Sequence, residues 1–187
     1  MGSTRDNTYM DADTRIFYLS DDVDNESLGK LIWSILLIIK VDDEKEEKEK
    51  NYKREPIKLY INSYGGEVYD MWGLINVILN SKTPIYTYCT GYAMSAAFEI
   101  FLAGHKRYCY EYSTFMYHQM NCSRQGKYQD IVEDRDEMDW LNKMNEEYVI
   151  NRTKFDDTII KEIREKKRDF YIHSNKAAEY GIVDEIL

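Results

Sequence analysis

The alternation of apolar and polar positions divides the chain into strand–turn–helix units. "RIFYLS" at 15–20 alternates as a short strand does. The dense apolar run "LGKLIWSILLIIK" at 28–40 predicts a buried helix, capped by Asn25 or Ser27. Past Pro56 the pattern sharpens. "IKLYIN" predicts a strand, "SYGG" a turn, and "EVYDMWGLINVILNS" a helix with Val68, Met71, Leu74, Ile75 and Ile78 on its inner face. The same unit then repeats: "PIYTYCTGY" as strand, "AM" as turn, "SAAFEIFLAG" as helix. "KRYCYEYSTFMYHQ" supplies two short strands about a turn near Glu111–Ser113. Units of this length require right-handed crossovers and a mostly parallel sheet.

Residues 129–152 predict a long helix. Ile131, Met138, Leu141, Met144 and Tyr148 recur on one face at three- and four-residue steps, and the other face is heavily charged. A second helix follows over "DDTIIKEIREKK", then "DFYIHS", a short helix over "NKAAEYG" and a closing strand "IVDEI". Residues 1–14 are polar and acidic and are expected to lack fixed structure, leaving 15–187 as one domain. The mixed-charge stretch 41–55 reads as a solvated helix end plus a loop.

Composition narrows the function classes. With 34 acidic against 25 basic side chains the net charge is −9, which excludes a basic face for nucleic acid. The longest apolar run, 31–39, is too short to span a bilayer. Cys89, Cys109 and Cys122 show no metal-binding spacing, which suits buried, reduced thiols in a cytoplasmic setting.

The candidate chemistry gathers where strand ends meet helix starts. Ser95 sits at such a junction, either as a helix cap or as a nucleophile. The free N–H of Ala96 beside it, at a helix start, is a candidate oxyanion donor. Gly65 and Gly66 occupy the same place in the preceding unit, where glycine allows close backbone approach, and the N–H of Gly66 is the second candidate donor. His118 ends a strand in "FMYHQ". His105 and His173 read as surface or packing residues.

The blocks "YINSYGG", "GYAMSAAF", "RYCYEYSTFMYHQ" and "RDFYIHSNKAAEYGIVDEIL", in that order from about Arg15 to Leu187, resemble the Clp protease proteolytic subunit family. The resemblance implies an α/β, crotonase-like spiral of ββα units with a protruding helical handle, here the 129–152 helix. It implies a serine endopeptidase in which Ser95 is the nucleophile, His118 the base and Asp169 the acid, with Gly66 and Ala96 as oxyanion donors. It calls for no metal or cofactor. It also implies a homo-oligomer of stacked heptameric rings enclosing a chamber, where Arg168 makes a ring–ring contact. Peptide or unfolded-protein substrate would add as a strand beside 64–68 and 120–127.

The chain departs from the family pattern at Tyr64 and Met120, where relatives have proline, and at Lys127, where they have glutamine. Only 14 polar residues precede Arg15, where relatives carry an axial loop and a helical segment, so docking to an ATP-driven unfoldase is left open. The alternatives are a catalytically silent ring subunit, a phage-type head-maturation protease on the same fold and, last, an acyl-CoA enzyme of crotonase type.

Overall fold

Two short antiparallel strands, β1 (Tyr9–Asp11) and β2 (Ile16–Leu19), precede the long helix α1 (Asn25–Lys48). The structure, a computed structural model, describes residues 9–121 and 125–187. Next come β3 (Ile57–Ser63), α2 (Val68–Asn80), β4 (Ile85–Met94) and α3 (Ala96–Ala103). The chain continues through β5 (Lys106–Cys109), β6 (Thr114–Tyr117), α4 (Tyr128–Arg152) and α5 (Asp157–Lys166). It closes with β7 (Phe170–His173), α6 (Ser174–Glu179) and β8 (Glu185–Ile186).

Strands β2, β3, β4, β5 and β8 lie side by side and parallel, as the repeated units require. Strand β4 is long enough to fork. Residues 86–89 pair with β5, whereas residues 92–94 pair with β6, and β6 in turn pairs antiparallel with β7. The mixed α/β architecture, parallel sheet and six helices among the described residues agree with the expected fold class.

Each strand sends alternate residues to opposite faces. On β3 the inward set is Ile57, Leu59, Ile61 and Ser63, all buried. Tyr60 points the other way and stacks on Tyr88 at 4.7 Å, which stacks on Tyr108 at 4.8 Å. The inner face is covered by helices, and α3 is buried along all eight of its residues. Such a helix can only sit in the centre of a core.

Several expectations are corrected. Helix α1 is capped by Asp24 rather than Asn25 or Ser27. The Asp24 carboxylate accepts from Ser27 N at 2.8 Å and Ser27 Oγ accepts from Asp24 N at 3.2 Å, a reciprocal capping box. The expected "AM" turn is strand, because Ala93 and Met94 pair with Phe115 and Met116. Residues 9–11 of the segment expected to lack structure form β1, and residues 1–8 lie outside the described residues. On α4, Leu141 and Tyr148 are buried, but Ile131 is 45% exposed, so the first half of the helix projects from the rest.

The charged stretch 41–55 is also more than a solvated loop. Helix α1 continues through it to Lys48 and buries Asp42 completely. Arg15 donates twice to this carboxylate, at 2.6 and 2.8 Å; Tyr52 Oη donates at 2.6 Å and Thr83 Oγ1 at 2.8 Å. Arg54 reinforces the cluster through Asp43, Glu46 and Thr83. Burial alone would raise the Asp42 carboxyl, but the bonds from Arg15, Tyr52 and Thr83 outweigh it and hold it well below the ordinary carboxylate range.

Removing one member of a buried ion pair leaves the other uncompensated. Asp42→Asn is therefore expected to lower unfolding free energy by about 3 kcal/mol. Glu46→Gln, at an exposed position screened by solvent, should cost far less. Because the folded-state value is depressed, the Asp42 contribution is present above the ordinary carboxylate range and is lost as pH falls below it. Urea titrations of both variants at neutral and acidic pH measure this. Equal losses for the two variants would contradict the buried network.

Candidate active site

The turn between β4 and α3 is made by one residue, Ser95, at φ 53° and ψ −126°. This is a strained conformation for a residue with a Cβ, costing about 1–3 kcal/mol, and it persists only where the surroundings impose it. Two sets of bonds do so. Ser95 N donates to Met116 O on β6 at 2.9 Å, and Ser95 O accepts the first helical bonds, from Phe98 N at 2.9 Å and Glu99 N at 3.2 Å. The side chain makes no capping bond to α3. Its Oγ lies instead 2.8 Å from His118 Nε2. Of the two readings of Ser95, the cap is thereby set aside.

His118 follows β6 directly, and Asp169 precedes β7 directly. The β6–β7 register ends with Tyr117 opposite Phe170, so the next cross-strand pair is His118 and Asp169. Their closest atoms, His118 Nδ1 and Asp169 Oδ1, are 3.7 Å apart. That is within ion-pair range and longer than a hydrogen bond. The histidine side chain is 18% exposed and the aspartate 54%. Arg168 beside it is exposed as well.

The Gly65–Gly66 turn packs directly against Ser95. A Cβ on Gly65 would come within 2.6 Å of Met94 O, 2.8 Å of Ala96 N and 2.9 Å of Ser95 Cβ, and its φ of 100° already favours glycine. At Gly66 a Cβ would meet Val23 O at 2.2 Å. Val23 bridges this turn in parallel fashion, donating to Gly65 O at 2.9 Å and accepting from Glu67 N at 2.6 Å. A parallel bridge uses the groups flanking its central residue, so the N–H of Gly66 faces away from Val23. The N–H of Ala96, first in α3, has no acceptor within its own helix. Gly66, Ser95, Ala96 and His118 all border one cavity of about 190 Å³.

Val68, Met71 and Met120 give this cavity apolar walls, and Asn142 and Asn145 reach it from α4. Glu99 lines it too, one helical turn beyond Ser95, and sequence reasoning passed it over. The signal was present: Glu99 is the single charged residue between Ile85 and Gly104. Burial pushes its carboxyl up to about 8. The free thiols of Cys89 and Cys109 are buried, which pushes them up to about 12 and about 11, so neither is a competing nucleophile; Cys122 lies outside the described residues. His105 Nδ1 accepts from Ile85 N at 3.0 Å, and His173 Nδ1 lies 3.2 Å from Thr114 Oγ1, both outside this cluster. Among the described residues no group of His, Cys, Asp and Glu could hold a metal ion, and no helix is long and apolar enough to cross a membrane.

The Clp protease family model matches residues 3–187. The chain is 32% identical over 175 residues to ATP-dependent Clp protease proteolytic subunit 1 of Prochlorococcus marinus (strain MIT 9312), covering 92% of this chain and 84% of the relative. It is 34% identical over 176 residues to the subunit 1 of Prochlorococcus marinus (strain NATL2A), covering 92% and 83%. It is 32% identical over 179 residues to the ATP-dependent Clp protease proteolytic subunit of Bacteroides thetaiotaomicron, covering 92% and 74%. The chain belongs to the Clp protease family.

The packing of the two turns generates a test with an internal control. Gly65→Ala should lower stability by about 1–3 kcal/mol. It should also slow reaction of Ser95 with a serine-directed reagent about a hundred-fold, because the two turns are pushed apart. Gly29→Ala, at an exposed position of α1 where a Cβ meets only Asn25 Oδ1 at 3.9 Å, should stabilise by about 0.5–1 kcal/mol. Chemical denaturation and intact-mass kinetics read both. Unchanged Ser95 reactivity in Gly65→Ala would contradict the coupling.

Proposed function

We propose that this member of the Clp protease family is a serine endopeptidase whose nucleophile is Ser95. The observation that carries the reading is the 2.8 Å approach of Ser95 Oγ to His118 Nε2 at a strained strand-to-helix turn. In the reaction His118 accepts the hydroxyl proton as Ser95 attacks a peptide carbonyl, and later returns that proton to the leaving amine. Asp169 selects the imidazole tautomer and stabilises its cationic form. The N–H groups of Gly66 and Ala96 bind the tetrahedral oxyanion, helped by the positive end of α3. Removing one such donor typically costs about a hundred- to a thousand-fold in rate.

The substrate is a peptide or unfolded protein, held as an added strand between the flanking segments 64–68 and 120–127, of which 122–124 lie outside the described residues. Residues 15–187 act as one protease domain, with α4 as the handle. Homo-oligomerisation is supported by apolar side chains exposed on projecting surfaces: Trp33, Leu36 and Leu37 on α1, and Ile131 and Trp140 on α4. Heptameric rings stacked through the handle, with Arg168 at the ring–ring contact, would cover them. The names of the relatives carry "ATP-dependent", and an ATP-driven unfoldase is the corresponding partner here. A cytoplasmic setting fits the reduced, buried thiols.

A catalytically silent ring subunit is the second reading. The 3.7 Å gap between His118 and the half-exposed Asp169 favours it. Labelling with a fluorophosphonate, read by intact mass on size-fractionated oligomers, separates the two. Wild type should take a single adduct in the assembled fraction, and Ser95→Ala none. An adduct retained by Ser95→Ala would refute the assignment of the nucleophile. No adduct on any wild-type oligomer would establish the silent subunit.

A further inference from the structure

The cavity beside Ser95 contains an ionisable group that the proposed chemistry does not use. Glu99 lies four residues after Ser95 on α3, on the same face of the helix. It is only 5% exposed, and its Oε2 has no hydrogen-bond partner among the described residues. The other seven residues of α3 are apolar, so nothing on its own helix accounts for the carboxylate.

The described residues around it supply no cation either. Among the described residues no lysine or arginine lines the cavity. The nearby Arg164 is committed to Glu146, with contacts of 2.9 and 3.1 Å, and Asn142 Nδ2 donates to the same Glu146 at 3.1 Å. Asn142 lines the same cavity as Glu99. Trp72 Nε1 donates to Asn145 Oδ1 at 3.1 Å, which fixes that side chain in the wall. A carboxyl left without a partner in a protein interior is costly, and native structures rarely retain one without a use. The cavity therefore has a carboxyl without a bonded partner at a buried wall, apolar sides at Val68, Met71 and Met120, and, among the described residues, no cationic side chain beside it.

We propose that Glu99 makes this cavity a subsite for a basic side chain, lysine or arginine, on the acyl side of the cleaved bond. The inference rests on the reading of Ser95 as nucleophile. A carbonyl seated on the Gly66 and Ala96 amides belongs to the residue whose side chain enters the cavity those amides border. The apolar walls take the methylene stem of such a side chain, and the carboxylate takes its cationic head. A bound cation also favours the ionised form of Glu99, which burial otherwise disfavours. Leucine in the same place would leave the carboxyl buried and unpaired, so discrimination comes from both partners.

Peptidyl diphenyl phosphonates bearing lysine or leucine next to the phosphorus test this on wild type, Glu99→Gln and Glu99→Leu, with covalent labelling followed by intact mass. Wild type should react about ten-fold or more faster with the lysine reagent. Glu99→Gln should lose most of that preference, and Glu99→Leu should favour leucine. Equal rates on wild type, or a lysine preference that survives in Glu99→Leu, would overturn the subsite while a fluorophosphonate adduct leaves Ser95 as nucleophile. If no reagent labels wild type, the nucleophile assignment fails and binding decides the subsite. Butylguanidinium should then raise the Tm of wild type more than that of Glu99→Leu, and equal shifts would overturn the proposal.

Discussion

Strand β6 is bonded along both edges, and the geometry of the site depends on that. On one side it runs parallel to the end of β4, where Met116 O receives the N–H of Ser95 at 2.9 Å. On the other it runs antiparallel to β7, with Tyr117 opposite Phe170. One four-residue strand thus fixes where the serine turns, where the histidine emerges and which residue faces the histidine from across the sheet. Side chains on a strand alternate in direction, so a slip of one residue in either ladder would send His118 to the wrong face. The fork in β4 makes this possible, since its first half is occupied by β5 and only its last residues are free to receive β6.

The strain at Ser95 and the absence of side chains at Gly65 and Gly66 are two parts of one arrangement. Two strand-to-helix turns on neighbouring parallel strands must come close enough for their amides to converge on one point. Backbone atoms of Met94, Ala96 and Val23 already lie where a Cβ at either glycine would go. The unfavourable φ of Ser95 is held in place by the helix it starts, every residue of which is buried. Burial of Phe98, Ile100, Phe101 and Leu102, each worth about 1.5–3 kcal/mol, exceeds the local strain.

How much of this was legible in the sequence varied with how local each signal is. The strand–turn–helix units were readable because their apolar periods are written within a few residues, and Ser95, Gly66, Ala96 and His118 stand at the ends of those units. Asp169 was not readable from pattern, since its place opposite His118 depends on the β6–β7 register and many other acids surround it in the chain. The role of Asp42 was hidden for a related reason. Within a run of mixed charges nothing local separates a buried carboxylate from its solvated neighbours, and its partners Arg15 and Thr83 are distant in sequence. Glu99 was conspicuous as a lone charge among apolar residues, but its meaning needed the cavity. The reach of β4 through Met94 was missed because Ala93 and Met94 pair with β6, a strand that comes later in the chain.

The Arg15–Asp42–Thr83 network also bears on the order of folding. Its bonds join residues 27 and 41 positions apart and tie the first hairpin, the end of α1 and the start of β4 to one another. Contacts of such sequence separation close only after the intervening chain has been ordered, because loop-closure entropy opposes them until then. The network therefore stabilises the finished structure more than the route to it. Interactions absent from the transition state slow unfolding while leaving the folding rate nearly unchanged. The charged end of α1 thus acts as a kinetic latch, setting how long a folded subunit survives rather than how quickly it forms.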